Sequence, residues 1–193
     1  MLIVHGLSFF SYDWIGPASR LATDRQVAAI DMRGFGDSDW PGEYSLAAHA
    51  ADIVAVLDHL GWERAILIGH SMGGRHAAVA AAHYPKRFEA LILFDYTPQN
   101  AAEGSARVAK RTASTPALML KRDPHFRDQF RHQVETGEKH KLELDLWQVL
   151  ASIQCPTLII RGARSDMFTV ASVPRILASK QSTLYARRRR RRP

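Results

Sequence analysis

The segment Gly69-His70-Ser71-Met72-Gly73-Gly74 is the part of this 193-residue chain best suited to covalent chemistry. A short apolar run, Ala65–Ile68, leads into it, and an alanine-rich run, Met72 to Tyr84, leads out. A serine on such a strand-to-helix turn sits on a strained backbone that projects its hydroxyl. Glycines two residues before and two after remove side chains that would clash in the turn. The following helix offers free N–H groups and the positive end of its dipole to a developing oxyanion. G-x-S-x-G in this context therefore suits a serine nucleophile that attacks a carbonyl carbon. Two aspartates close later apolar runs: Asp95 follows Ala90–Phe94, and Asp166 ends Gly162-Ala163-Arg164-Ser165-Asp166. A carboxylate at either place can orient a histidine and stabilise its cation.

These residues need a sheet to position them. Six short apolar runs are expected strands: Leu2–Val4, Val27–Ile30, Ala65–Ile68, Ala90–Phe94, Thr157–Ile160 and a last one beginning at Thr183–Tyr185. Each is apolar on both faces, as in parallel strands covered on both sides. Helical patterns fall between them. Leu46, Ala50, Ile53, Val54, Leu57 and Leu60 share one helical face, with Ser45 as N-cap and Gly61 as stop. Glu143 to Ala151 is a further helical candidate. The alternation predicts an α/β fold, a mostly parallel sheet with flanking helices. Residues 96–154 interrupt it with a polar, helix-prone stretch of nine basic and seven acidic residues, expected to form a small helical cap. The expected core is then 1–95 with 155–186, and the arginine-rich 187–193 an unstructured tail.

Taken in order, His5-Gly6-Leu7, Asp31 to Ser38, the Ser71 turn, Leu91 to Asp95 and Pro156 to Asp166 give the chain a pattern that resembles the α/β-hydrolase family. The resemblance covers Leu2 to about Leu177. It implies that Ser71 is the nucleophile. The backbone N–H of Met72 and of Leu7 would form the oxyanion hole, with His5 fixing the loop. The triad acid would be Asp166, or Asp95 as in some members. It implies a small-molecule acyl substrate, a carboxylic ester or relative, and no cofactor. Ser71 stands against the dehalogenases and epoxide hydrolases of the same fold, which use a carboxylate nucleophile.

The resemblance also implies a histidine after the acid. The nine histidines are at 5, 49, 59, 70, 76, 83, 125, 132 and 140, and none follows Asp166. The expected outcome is a hydrolase scaffold, truncated at both ends, with little turnover of its own. A serine hydroxyl without a base is a weak nucleophile. The alternative is a non-catalytic, ligand-binding remnant of the fold. Exposed sheet edges would favour self-association. His125, His132 and His140 lie in the expected cap, at spacings that fit one exposed helix face.

Composition narrows the rest. The formal charge is +7, yet Arg187–Arg192 supply six of the basic residues, and without them twenty face nineteen acids. No aromatic-interleaved basic motif accompanies the run, so no specific nucleic-acid partner is expected. At 46% hydrophobic residues the chain can bury a core. No apolar stretch is long enough for a membrane span. There is no HExxH or CxxC, so no metal site is expected. The single Cys155 cannot form an intrachain disulfide, which suits a cytoplasmic location. Cys155 is expected as a buried thiol, and Arg33 as a brace for its glycine-rich loop. Phe9, Phe10, Tyr12 and Trp14 are expected either to line an acyl pocket or to pack the core.

Overall fold

A computed structural model describes residues 1–99, 101–116, 121–138, 141–180 and 183–188. The apolar runs become six parallel strands: β1 (Leu2–Val4), β2 (Ala28–Ile30), β3 (Ala65–His70), β4 (Phe88–Phe94), β5 (Thr157–Gly162) and β6 (Thr183–Arg188). Their order in the sheet is β2-β1-β3-β4-β5-β6. One face of the central strands is wholly inside, at Leu2, Val4, Leu67, Leu91, Leu93 and Ile159; on the other, Ile3 and Ile68 are buried and Ile66, Ile92, Leu158 and Ile160 half-buried. That is why they carry continuous apolar runs rather than an alternating pattern. β2 and β6 form the edges, and Leu184 on β6 faces solvent.

Helices α1 (Ile15–Leu21), α2 (Leu46–His59), α3 (Met72–His83), α4 (Ala102–Ser114), α5 (Pro124–Thr136), α6 (Leu146–Ser152) and α7 (Val173–Ser179) complete the described fold. α2 begins where its sequence places it: Ser45 Oγ accepts the Ala48 N–H, satisfying one orphan donor of the first turn. α3 is nearly all small residues, and Ala77 to Ala81 are buried. Small side chains let this helix lie close against the sheet.

Two boundaries differ from the sequence expectation. β6 runs on into the arginines, pairing Arg187 and Arg188 with Arg161 and Gly162. Backbone pairing along β5 carries the strand past the end of its apolar segment; residues 189–193 lie outside the described residues. The 96–154 insertion also divides. α4 and α5 pack on each other. α6 instead adds Leu146, Val149 and Leu150 to the core that holds Ala77 to Ala81. No helix among the described residues is long and apolar enough to cross a membrane.

Candidate active site

Ser71 stands between β3 and α3 with φ 51° and ψ −114°, a conformation that non-glycine residues rarely adopt. The turn is held from several sides. Ser71 N–H bonds to Phe94 C=O at 2.9 Å on the neighbouring strand. Gly74 and Arg75 N–H turn back to Ser71 C=O at 3.0 and 3.3 Å. Glycine is required at 73 because its Cα faces the end of β1. A methyl there would collide with His5 C=O and stand 2.6 Å from Val4 C=O. At Gly69 a methyl would lie 2.6 Å from Gly73 C=O. The two motif glycines therefore let strand, turn and helix close on one another.

Ser71 Oγ makes no hydrogen bond among the described residues. It faces a cavity of about 550 Å³ that is also lined by Leu7, Met72, Asp95 and Tyr96. α5 contributes His125, Phe126 and Phe130 to the opposite wall. Met72 is the first residue of α3, so its N–H has no acceptor inside the helix. The Leu7 loop is fixed by buried side chains. His5 Nε2 accepts the Met32 N–H at 3.1 Å, which leaves Nδ1 to donate to Gly6 C=O at 2.9 Å. Arg122 Nη1 reaches Leu7 C=O at 3.4 Å. Burial holds the His5 pKa below its ordinary value, consistent with a neutral ring in a structural role.

The two aspartates lie in different surroundings. Asp95 is half-buried on the cavity wall, at φ 51°. Its carboxylate accepts from Gly162 N–H at 3.1 Å and Ser165 Oγ at 2.8 Å, tying β4 to the loop after β5. Asp166 is exposed and takes a bidentate pair from Arg107 of α4 at 2.5 and 2.7 Å. That pair, foremost through its side-chain hydrogen bonds, holds the Asp166 carboxyl below its ordinary pKa. Its neighbour Met167 lines the cavity.

The histidines also separate. His125 is exposed at the cavity wall, with its ring on Tyr44 at 5.1 Å. His132 is on the surface, 3.5 Å from Glu138, and His140 lies outside the described residues. His49 and His76 line the cavity with their rings stacked at 3.9 Å. Burial lowers the pKa of both, that of His76 furthest. These two, with Arg75 and Tyr96, were missed from sequence. The available signal was an arginine and a histidine inside an otherwise alanine-rich, buried helix.

Phe9 and Trp14 pack against His70 and do not line the cavity. Arg33 braces its loop through Asp52 and Glu43. Cys155 is a buried free thiol whose pKa burial raises. Among the described residues no cluster of histidine, cysteine and carboxylate could hold a metal.

Residues 1–106 match a family model described as alpha/beta hydrolase fold. The chain belongs to the alpha/beta hydrolase fold family. Among relatives of the family, Epoxide hydrolase 4 of Mus musculus is 37% identical over 99 residues, half of this chain and 28% of that protein. The chain thus spans under a third of that relative's length. The 2-(acetamidomethylene)succinate hydrolase of Mesorhizobium japonicum is 27% identical over 204 residues, covering 90% of this chain and 73% of that one. The crystal structure of E-2-(acetamidomethylene)succinate hydrolase superposes with a TM-score of 0.76 at 23% identity. It covers 97% of this chain and 82% of that one. The relatives with assigned activities are hydrolases, and the shared fold is the hydrolase sheet with its helices.

Proposed function

We propose that the cavity is an acyl-transfer site in which Ser71 Oγ attacks the carbonyl carbon of a carboxylic ester or a related acyl bond. The observation that carries this is Ser71 itself. A strained turn holds it with a free hydroxyl on the cavity, beside a Met72 N–H that has no helical acceptor. Attack forms the Oγ–C bond and moves the carbonyl electrons onto oxygen. The N–H groups of Met72 and Leu7 stabilise that oxyanion. The Ser71 hydroxyl proton passes through water to the leaving oxygen as its bond to the carbonyl carbon breaks, so collapse expels the alcohol and leaves an acyl-Ser71 ester that water cleaves to the acid and free Ser71.

Asp95 is the acid of this proposal. It shares the cavity with Ser71, and two donors already orient its carboxylate. Asp166, the first choice from sequence, is the alternative; it would have to leave Arg107 to serve. A serine, not a carboxylate, at the nucleophile position favours acyl chemistry over the epoxide opening named in one set of relatives. The relative named for hydrolysing an acetamido compound points the same way.

No histidine bonds to Ser71 Oγ among the described residues, so the chain's own turnover is expected to be slow. In a serine protease, loss of the histidine costs about 10⁶ in kcat. The second reading, a ligand-binding fold without catalysis, rests on that same missing contact. A fluorophosphonate probe separates the two. Stoichiometric labelling that disappears in Ser71→Ala supports the acyl-transfer site, and no labelling of the native chain supports the binding fold. Rapid hydrolysis of p-nitrophenyl acetate, abolished in Ser71→Ala, would overturn the expectation of slow turnover.

A further inference from the structure

Arg75 follows Ser71 by one turn of α3, and its side chain lines the same cavity. Its Nε is buried without a hydrogen-bond partner, and among the described residues it has no ion pair. Tyr96, a lining residue of the cavity, is 4% exposed, and its hydroxyl is buried without a partner. The guanidinium is near enough to oppose the rise that burial causes in the Tyr96 pKa.

The cavity's acidic groups leave Arg75 unneutralised. Glu43 pairs with Arg33, and Asp95, held by the neutral donors Gly162 and Ser165, makes no ion pair with Arg75, whose pKa answers to burial and then to Tyr96 and to no carboxylate. Glu143 is exposed. Nor do the imidazoles add charge: His49 and His76 are kept neutral by burial, each with one ring nitrogen unpartnered. Arg75 is therefore a positive charge one helical turn from Ser71 that no carboxylate of the cavity compensates. Desolvating a guanidinium without a counter-charge is costly. A fold gains by keeping such a group where a ligand supplies the counter-charge.

We propose that Arg75 forms a carboxylate subsite in the cavity, so that the acyl substrate of Ser71 carries a free carboxylate at its other end. This deepens the acyl-transfer reading and rests on it. The planar guanidinium fork matches the two oxygens of a carboxylate. One positive charge suits a carboxylate monoanion better than a phosphate dianion. Half-esters and half-amides of dicarboxylic acids are the substrate class that follows. A neutral analogue would leave the buried donors unpaired, which is how such sites discriminate.

The test uses the whole chain and glutarate as the probe, read by titration calorimetry alongside fluorophosphonate labelling of Ser71. Glutarate is expected to bind saturably, to slow the labelling, and to lose at least about tenfold in affinity in Arg75→Met. Arg75→Lys is expected to fall between. Arg75→Met should also melt no lower than the native chain, since it removes an uncompensated charge; a large fall in Tm would make Arg75 structural and overturn the proposal. A chain whose Ser71 is labelled but which does not bind glutarate, or binds it equally in Arg75→Met, overturns the subsite alone. Glutarate binding without labelling overturns the nucleophile and supports the subsite. Tighter binding of inorganic phosphate than of glutarate overturns the carboxylate assignment.

Discussion

The two walls of the cavity are built on different principles. On the sheet side, main chain meets main chain. The Ser71 turn is pinned to Phe94 by a backbone hydrogen bond, and α3 approaches β1 so closely that Gly73 has no room for a methyl group. On the cap side, side chains do the holding. Phe126 packs between Phe35 at 4.7 Å and Tyr44 at 4.6 Å, and Arg107 of α4 pairs with Asp166 at the surface. The difference teaches where precision is needed. Reacting groups belong on the wall whose geometry is fixed by backbone contacts, and substrate-shaping groups on the wall that can yield.

The sharpest way to break this contrast is to add one carbon on the sheet side. Gly73→Ala is expected to cost about 3 kcal/mol, because the atoms it meets are backbone oxygens that cannot rotate away. Chemical denaturation measures it, and a loss below 1 kcal/mol would mean that the wall is softer than described. On the cap side, Phe126→Ala removes a similar amount, about 3 kcal/mol. There the loss should appear as local opening: amide exchange in α5 rises at least about tenfold while α3 stays protected. Equal acceleration in both helices would erase the distinction.

A third test titrates the sheet wall. His5, His49 and His76 are buried with pKa values lowered from an ordinary 6.5. The unfolded chain takes up protons near pH 6.5 that the folded chain refuses. Stability is therefore full above that pH and falls as pH drops toward the folded values. Each histidine contributes at most about 1.4 kcal/mol per pH unit. Melting between pH 7.5 and 5.5 should show the fall, and His76→Leu should flatten it. An unchanged slope in that variant would contradict burial as the cause. The smallest effect is expected at the surface tie of the cap. Asp166→Ala should change stability by under about 1 kcal/mol, since both partners are solvent-screened.

The same contrast explains what could be read from sequence. Leu2–Val4 and Leu158–Ile160 announce themselves because strands covered on both faces carry unbroken apolar runs. Ser71 is legible because its turn needs Gly69 and Gly73 at fixed spacing. Sheet order and the pairing of β6 with β5 depend on long-range contacts that no local pattern carries. α6 was grouped with the cap because chain order placed it there, whereas Leu146, Val149 and Leu150 give it an apolar face that the core takes up. No local pattern singles out Tyr96, and Arg75 stands out only as a charge in an alanine-rich helix. Only the fold shows that they share a cavity and lack partners. For the acid, the resemblance puts Asp166 first; in the fold Asp95 lines the cavity, and so does Met167 next to Asp166.

The central claim is that Ser71 is a nucleophile presented to the cavity. Intact-mass measurement of the chain after fluorophosphonate treatment, with peptide mapping, tests it most directly. The account predicts one adduct per chain on Ser71, formed slowly for want of a bonded histidine, and absent from Ser71→Ala and from a chain unfolded before treatment. No adduct, or one that survives Ser71→Ala, would contradict it.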